Sequence, residues 1–159
     1  MKNKNIIDIR TITADGPTVE VSATSAECAE LADRFRVPAI RSLRLTGCFG
    51  RDDLITFDGR LIADADRDCV VTLKRFTEHI DRSVHLIFAE DDQDVADDPE
   101  TDILPIEKGK IDLWAVMAEE FGLALSPFPK SVDTFLDYRD PSDTAPDNPF
   151  AVLKNRFKK

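Results

Sequence analysis

Three stretches of the chain alternate apolar and polar residues, which is the pattern of β-strands with one buried face. The stretches span residues 43–49, 55–65 and 80–88. We expect these strands to form one twisted antiparallel sheet with one face on the core. Gly59 lies inside the second stretch, where a glycine predicts a bulge or a bend. Shorter strands are predicted at residues 6–12, 18–21 and 103–106.

A helix is predicted at residues 25–35, because its apolar residues recur at helical spacing and its start carries a capping box. The capping residues are Thr24 and, three residues later, Glu27. Val37-Pro38 ends the helix, since the residue before a proline avoids helical backbone angles. The apolar residues on one face are Cys28, Leu31, Ala32 and Phe35.

A second helix is predicted to begin at Asp112, which suits an N-cap, and to end near Gly122, which suits the C-terminal position. Trp114 and Phe121 are expected in the core. The full buried stripe is predicted as Trp114, Met117, Ala118 and Phe121.

These elements predict an α+β fold: an antiparallel β-sheet or partial barrel, two packed helices and a long C-terminal extension. The α+β domain is predicted at residues 1–126 and contains an acidic loop at 90–102. Residues 127–159 contain five prolines and are predicted to be an extension that ends in a short basic helix. Asn148 and Pro149 suit the cap and first turn of that helix.

Charge is distributed unevenly along the chain. The 31 acidic and 21 basic residues give a net charge of -10, which disfavours generic binding to nucleic acid. Residues 90–102 hold eight of the acids and no base, so the remainder is nearly neutral. A basic patch on the folded part is therefore compatible with the acidic total.

No segment approaches the roughly 18 apolar residues of a membrane span, and the first residues are too short and polar for a secretory signal. Cys28, Cys48 and Cys69 form no close pair and are interpreted as reduced thiols of a cytoplasmic protein. His79 and His85 would lie roughly 20 Å apart on one strand, too far apart to share a metal ion. No phosphate-binding loop is present either. From the cysteines, the histidines and this absence together, we expect no catalytic residue, no metal and no cofactor.

Three segments, in this order and spacing, carry a resemblance to a known family. They are residues 68–76 (Asp-Cys-Val-Val-Thr-Leu-Lys-Arg-Phe), 111–129 and 148–154. Together they resemble the YceD family of bacterial and plastid proteins, which is associated with accumulation of large-subunit ribosomal RNA. Some members of this family look able to bind zinc through paired cysteines, one pair near the position of Cys69 and another near the C-terminus. Thr72 stands three residues after Cys69, so this resemblance implies no zinc site here.

The resemblance implies a non-enzymatic cytoplasmic factor in large ribosomal subunit biogenesis. Such a factor would support accumulation of the RNA by binding ribosomal RNA, a ribosomal protein or both. Its implied partners are large-subunit rRNA or a pre-ribosomal particle, and a basic ribosomal protein is a further candidate. No membrane partner is expected. The residues predicted to bind are Arg67, Cys69, Lys74, Arg75, Phe150 and Lys154.

Two other functions remain open from the residues themselves. A nuclease would need several carboxylates that converge on magnesium. A chaperone for basic proteins would use the acidic loop. A further hypothesis concerns phosphate binding by a patch of arginines that the sheet would bring together. Its members would be Arg44, Arg60, Arg67 and Arg75.

Overall fold

The computed structural model of the chain describes residues 5–90 and 102–132, and the fold is α+β with the sheet predominating, as predicted. The predicted helix around Asn148, with Phe150 and Lys154, lies outside the described residues, as does most of the acidic loop. The elements in chain order are β1 (Ile6–Asp8), a 3-10 helix (Ile9–Thr11), β2 (Thr18–Ser22), α1 (Ser25–Phe35), β3 (Ala39–Arg51), β4 (Ile55–Asp68), β5 (Arg75–Ala89), β6 (Asp102–Pro105), β7 (Lys110–Asp112) and α2 (Leu113–Ala124).

The main sheet has five strands in the order β2-β3-β4-β5-β6 and is open. Its first three pairings are antiparallel, and β6 adds to β5 in parallel. The long hairpin of β4 and β5 is paired without a break from Ile55 and Phe88 at one end to Asp68 and Arg75 at the other. A second, two-stranded sheet joins β1 to β7.

The inner face of the sheet is built by alternate residues of each strand, as the sequence pattern predicts. In β4 these are Phe57, Leu61 and Ala63, which are fully buried. Phe57 packs against Phe49 of β3 with their ring centroids 5.1 Å apart. Burial of this apolar surface is the main stabilising contribution, at roughly 25 cal/mol for each Å² removed from water.

The first helix has the predicted cap. Thr24 accepts a hydrogen bond from the backbone N–H of Glu27 at 3.3 Å, and the Glu27 carboxylate accepts one from the N–H of Thr24 at 2.8 Å. Both helices contribute to the same core. Phe35 of α1 meets Phe121 of α2 edge to face, with ring centroids 5.6 Å apart.

The second helix begins where it was predicted, because the Asp112 carboxylate accepts hydrogen bonds from the first turn. The helix ends at Ala124, near the predicted end, but Gly122 lies inside α2 and is not the C-terminal glycine that was predicted. Gly122 instead makes room for the Phe35 ring, which a Cβ at this position would approach to 2.7 Å. Phe121 is in the core as expected, whereas Trp114 is only half-buried.

The prediction of a bulge at Gly59 is wrong, because the β3–β4 register is continuous there and Gly59 lies opposite Gly47. The Phe57 ring lies across this pair, so that a Cβ on Gly47 would come within 2.5 Å of it. The register shift in this strand pair occurs instead between Ile40 and Ser42. In the part of the chain that the structure describes, no helix is long and apolar enough to span a membrane.

Candidate functional site

Two of the segments that carry the sequence resemblance meet at one end of the molecule. The backbone N–H of Val70, in the loop between β4 and β5, donates to the carbonyl of Pro129 at 2.9 Å. The Arg67 guanidinium donates to the carbonyl of Ser126 at 2.7 Å. The chain after α2 is therefore held against the end of the β4–β5 hairpin.

The hairpin loop closes tightly on itself. The Cys69 N–H donates to the Lys74 carbonyl at 2.9 Å, and the Leu73 N–H donates to the Cys69 carbonyl at 2.8 Å. Closure of this loop places Leu73 in the left-handed region, with φ of 57°. Leucine is disfavoured there because its Cβ approaches the backbone.

Apolar side chains and lysines project from this end. Leu73 is 82% exposed, Phe128 71% and Val132 95%, and Val70 is partly exposed. Lys74 and Lys130 are also exposed, and neither forms an ion pair with another described residue. We use the name hairpin-end surface for the set Val70, Leu73, Lys74, Phe128, Lys130 and Val132.

The structure separates the predicted binding residues into different environments. Lys74 belongs to the hairpin-end surface, and Arg75 is exposed beside it with Asp68 at 3.1 Å. The Arg67 side chain is only 11% exposed and forms an ion pair with Glu78 at 3.0 Å. Cys69 directly follows β4 and is fully buried. Arg67 and Cys69 thus support the hairpin end from beneath.

The family model described as "Large ribosomal RNA subunit accumulation protein YceD" matches residues 57–155, which is more than half of the 159 residues. The chain belongs to the YceD family. No match was found among the curated proteins or the solved structures. The description names an accumulation factor for the large ribosomal RNA subunit and names no reaction. The matched residues begin in β4 and include both segments that meet at the hairpin end.

The predicted patch of four arginines is wrong in the case of Arg67. Arg44, Arg60 and Arg75 lie at outward positions of their strands, whereas Arg67 lies on the inner face with the core positions of β4. The reason is the strand alternation itself, since Arg67 continues the series that buries Ala63 and Ala65. We refer to the outward side of β2, β3, β4 and β5 as the outer face.

Ion pairs cover the outer face of this YceD protein. Arg60 donates two hydrogen bonds of 2.6 Å to Asp81, which hold the pKa of that carboxyl below its usual range. Arg41 binds Asp66 in the same two-bond manner, at 2.7 and 3.1 Å, with the same effect on the pKa of Asp66. The arginines of this face are therefore engaged with carboxylates instead of being available to phosphate.

Carboxylates also bind both histidines on the outer face. His79 lies 2.7 Å from Asp64, and this hydrogen bond is the main cause of the lowered pKa of Asp64. His85 bonds Asp58 in the same way. Both histidines are exposed. No group of three or more potential ligands that could hold a metal ion occurs among the described residues.

Glu120 is a buried acid that the sequence analysis missed. Its side chain is 5% exposed on the sheet side of α2, with Arg82 of β5 at 3.8 Å. Burial raises the pKa of this carboxyl, and the positive charge of Arg82 opposes that rise. A signal was present in the sequence, because Glu120 follows Met117 of the predicted buried stripe by three residues and hence lies near its helix face.

A cavity of about 440 Å³ lies at a different part of the fold, between β6, β7 and α2. Phe88, Leu104 and Val116 contribute apolar walls, and the exposed Lys108 and Glu119 contribute charge. This cavity shares no lining residue with the hairpin-end surface.

Proposed function

We propose that this chain is a non-enzymatic cytoplasmic factor that supports accumulation of large-subunit ribosomal RNA by binding an immature large-subunit particle. The hairpin-end surface makes the contact in this proposal. Membership of the YceD family supports the ribosomal role, because the family description names the large ribosomal RNA subunit. The position of the surface is supported by the convergence of two family segments on it.

The backbone conformation and the exposure of Leu73 are the observations that support the proposed surface. Its backbone lies in a region that costs an L-residue roughly 1–2 kcal/mol, and its side chain is 82% exposed. Neither property stabilises the fold, and glycine would serve the loop better. A strained, solvent-exposed leucine beside other exposed apolar groups is explained by a contact with a partner.

The chemistry of the surface fits a ribonucleoprotein, in which protein and RNA phosphate lie side by side. Leu73 and Phe128 supply apolar area of the kind that anchors protein contacts. Lys74 and Lys130 supply positive charge with no carboxylate partner among the described residues. We therefore propose that a ribosomal protein meets the apolar groups while nearby ribosomal RNA meets the lysines.

The outer face favours a second candidate, a chaperone for a basic ribosomal protein. Its carboxylates outnumber its arginines, and the arginine bonds keep them ionised. A basic protein would be attracted by this excess of negative charge. In this alternative the outer face makes the main contact. The arginines of the face are Arg41, Arg44, Arg60 and Arg75, and the acids are Glu20, Asp58, Asp64, Asp66, Asp68 and Asp81.

Sedimentation of the tagged protein in its native host tests the proposal. We expect the wild-type chain to travel with immature large-subunit particles in a sucrose gradient. Joint Leu73→Ala and Phe128→Ala substitutions should shift it to the free fraction, because they remove two exposed apolar anchors. Ile62→Ala is the matched control, since Ile62 is an exposed apolar residue of the outer face.

Other outcomes would contradict parts of the proposal. A wild-type chain that migrates only as a free protein, without ribosomal RNA or ribosomal protein, would refute particle binding. Particle binding that survives the double substitution would refute the hairpin-end contact. Loss of binding in an Asp64→Asn and Asp81→Asn variant, with the hairpin-end variant unaffected, would support the chaperone instead.

A further inference from the structure

Among the described residues, one edge of β5 is open over most of its length. The strand runs Arg75–Ala89, but β6 pairs only with its last residues, from Leu86 to Ala89. On that side, residues 75–85 have no strand partner within the described parts of the chain. An open edge of this length presents a row of backbone donors and acceptors to which another strand can add.

Two hydrogen bonds establish which backbone groups point outward. The carbonyl of Ala89 accepts from Ile106 on the β6 side, at 2.9 Å, and the carbonyl of Lys74 accepts from Cys69 on the β4 side, also at 2.9 Å. The β4–β5 register is continuous between these points. Since the direction alternates along a strand, the odd-numbered residues from Arg75 to His85 direct their N–H and C=O groups to the open edge.

We propose that a second copy of this chain pairs with this edge in antiparallel fashion, around a two-fold axis at Ile80. Odd residues then face odd residues, so the outward backbone groups of both copies meet in hydrogen-bonded pairs. Two of the facing pairs, Glu78–Arg82 and His79–Asp81, place an acidic side chain opposite a basic one. The predicted pairs are Arg75–His85, Phe76–Val84, Thr77–Ser83, Glu78–Arg82, His79–Asp81 and Ile80–Ile80.

Charge complementarity distinguishes this register from its neighbours. Moving the axis to residue 79 would place His79 against itself and Glu78 against Ile80. Moving it to residue 81 would place Asp81 against itself and Ile80 against Arg82. Like charges directly opposite one another destabilise a strand pair, whereas opposite charges stabilise it.

The same complementarity favours a second copy over an unrelated strand. Charged side chains along an edge usually discourage pairing with arbitrary partners. Here residues 78–82 (Glu-His-Ile-Asp-Arg) place an acid opposite each basic residue when two copies run antiparallel. An unrelated strand would match this pattern only by chance. A two-fold contact of this kind is self-complementary, as closed dimers require.

Sedimentation equilibrium and hydrogen exchange on the full chain under reducing conditions test the dimer. We expect a mass of twice 17.8 kDa at high protein concentration and that of a single chain on dilution. The amides of Thr77, His79, Asp81 and Ser83 should become protected as the dimer forms, because these N–H groups face the edge. Amides that bond to β4 should be protected at every concentration.

A proline variant supplies the matched comparison. Ser83→Pro removes an edge donor and adds bulk, while the bonds of β5 to β4 are made by even-numbered residues. It should weaken dimerisation at least about tenfold, because the two-fold axis repeats the loss. Ser83→Ala retains the N–H and should dimerise like the wild type.

Three results would overturn the proposal. The first is a chain that stays monomeric at every concentration, whether or not its edge amides are protected. The second is a dimer whose edge amides exchange freely, which would assign the contact to another surface. The third is a folded Ser83→Pro variant with wild-type dimerisation. The hydrogen exchange of the wild type decides the question even where the proline variant does not fold.

Discussion

Leu73→Gly should stabilise the fold and weaken binding to the particle. Leucine at φ of 57° bears a cost of roughly 1–2 kcal/mol that glycine avoids. Glycine gives back roughly 0.5–1 kcal/mol through the greater freedom of the unfolded chain. Because the side chain is 82% exposed, its removal sacrifices little burial. The net expectation is a gain of about 0.5–1 kcal/mol in the free energy of unfolding, or about 2–3 °C in Tm.

Urea unfolding and gradient sedimentation of the same variants separate the two effects. Leu73→Ala removes the apolar side chain but keeps a Cβ in the left-handed region, so its stability should stay within about 0.5 kcal/mol of the wild type. It should lose particle binding as fully as Leu73→Gly. Lys108→Gly is the control for strain, because Lys108 has φ of 52° and lies outside the hairpin-end surface. It should gain similar stability and keep its binding.

Two results would refute this reasoning at different points. If Leu73→Gly binds the particle like the wild type, the hairpin-end surface is not the contact. If Leu73→Gly lowers the free energy of unfolding while Lys108→Gly raises it, the Leu73 side chain packs against the fold and stabilises it. Particle binding that falls in the Lys108→Gly control would point to the turn before β7 instead.

Three further predictions concern stability. Gly47→Ala should lower the free energy of unfolding in urea by about 2–3 kcal/mol, because its Cβ would lie 2.5 Å from a backbone carbonyl. Gly50→Ala is the control and should cost less, because its Cβ would meet only a side-chain hydroxyl. Arg67→Ala should cost about 2 kcal/mol, since it removes the charged partner of the partly buried Glu78 carboxylate, and should increase proteolysis after α2. Burial raises the folded-state pKa of Glu120, so its charge destabilises the fold at neutral pH. Glu120→Gln should therefore raise the free energy of unfolding at pH 7, an advantage that shrinks as the pH falls toward the ordinary value of 4.5.

The elements could be predicted from the sequence wherever one local signal dominated. The capping box of α1 and the strand alternation in β3, β4 and β5 are such signals, and the strands lie where they were expected. The bulge predicted at Gly59 and the C-terminal role predicted for Gly122 were wrong for related reasons. Gly59 makes room for the ring of Phe57, two residues earlier on the same face of β4, and Gly122 makes room for the ring of Phe35 in α1. How these rings pack depends on the whole core, which local propensity does not encode.

The candidate site was predictable in part. The resemblance identified residues 68–76 and 111–129, but their meeting through Val70 and Pro129 depends on how α2 crosses the sheet. The inner position of Arg67 was available from the sequence, because it continues the alternation of β4. The exposure of Leu73 could not be predicted from the sequence, since a leucine in a short loop can be either buried or exposed.

The two proposed surfaces belong to the same hairpin and can be occupied together. In the two-fold register, Arg75 of one copy lies opposite His85 of the other, so the two hairpin ends stand roughly 33 Å apart at opposite ends of the pair. A dimer would thus offer two hairpin-end surfaces to one particle or to two. Leu73→Ala should then weaken particle binding without changing the mass of the dimer. Ser83→Pro leaves the hairpin end intact. If this variant also weakens particle binding, dimerisation strengthens that binding through avidity. If particle binding is unchanged, each copy binds the particle alone.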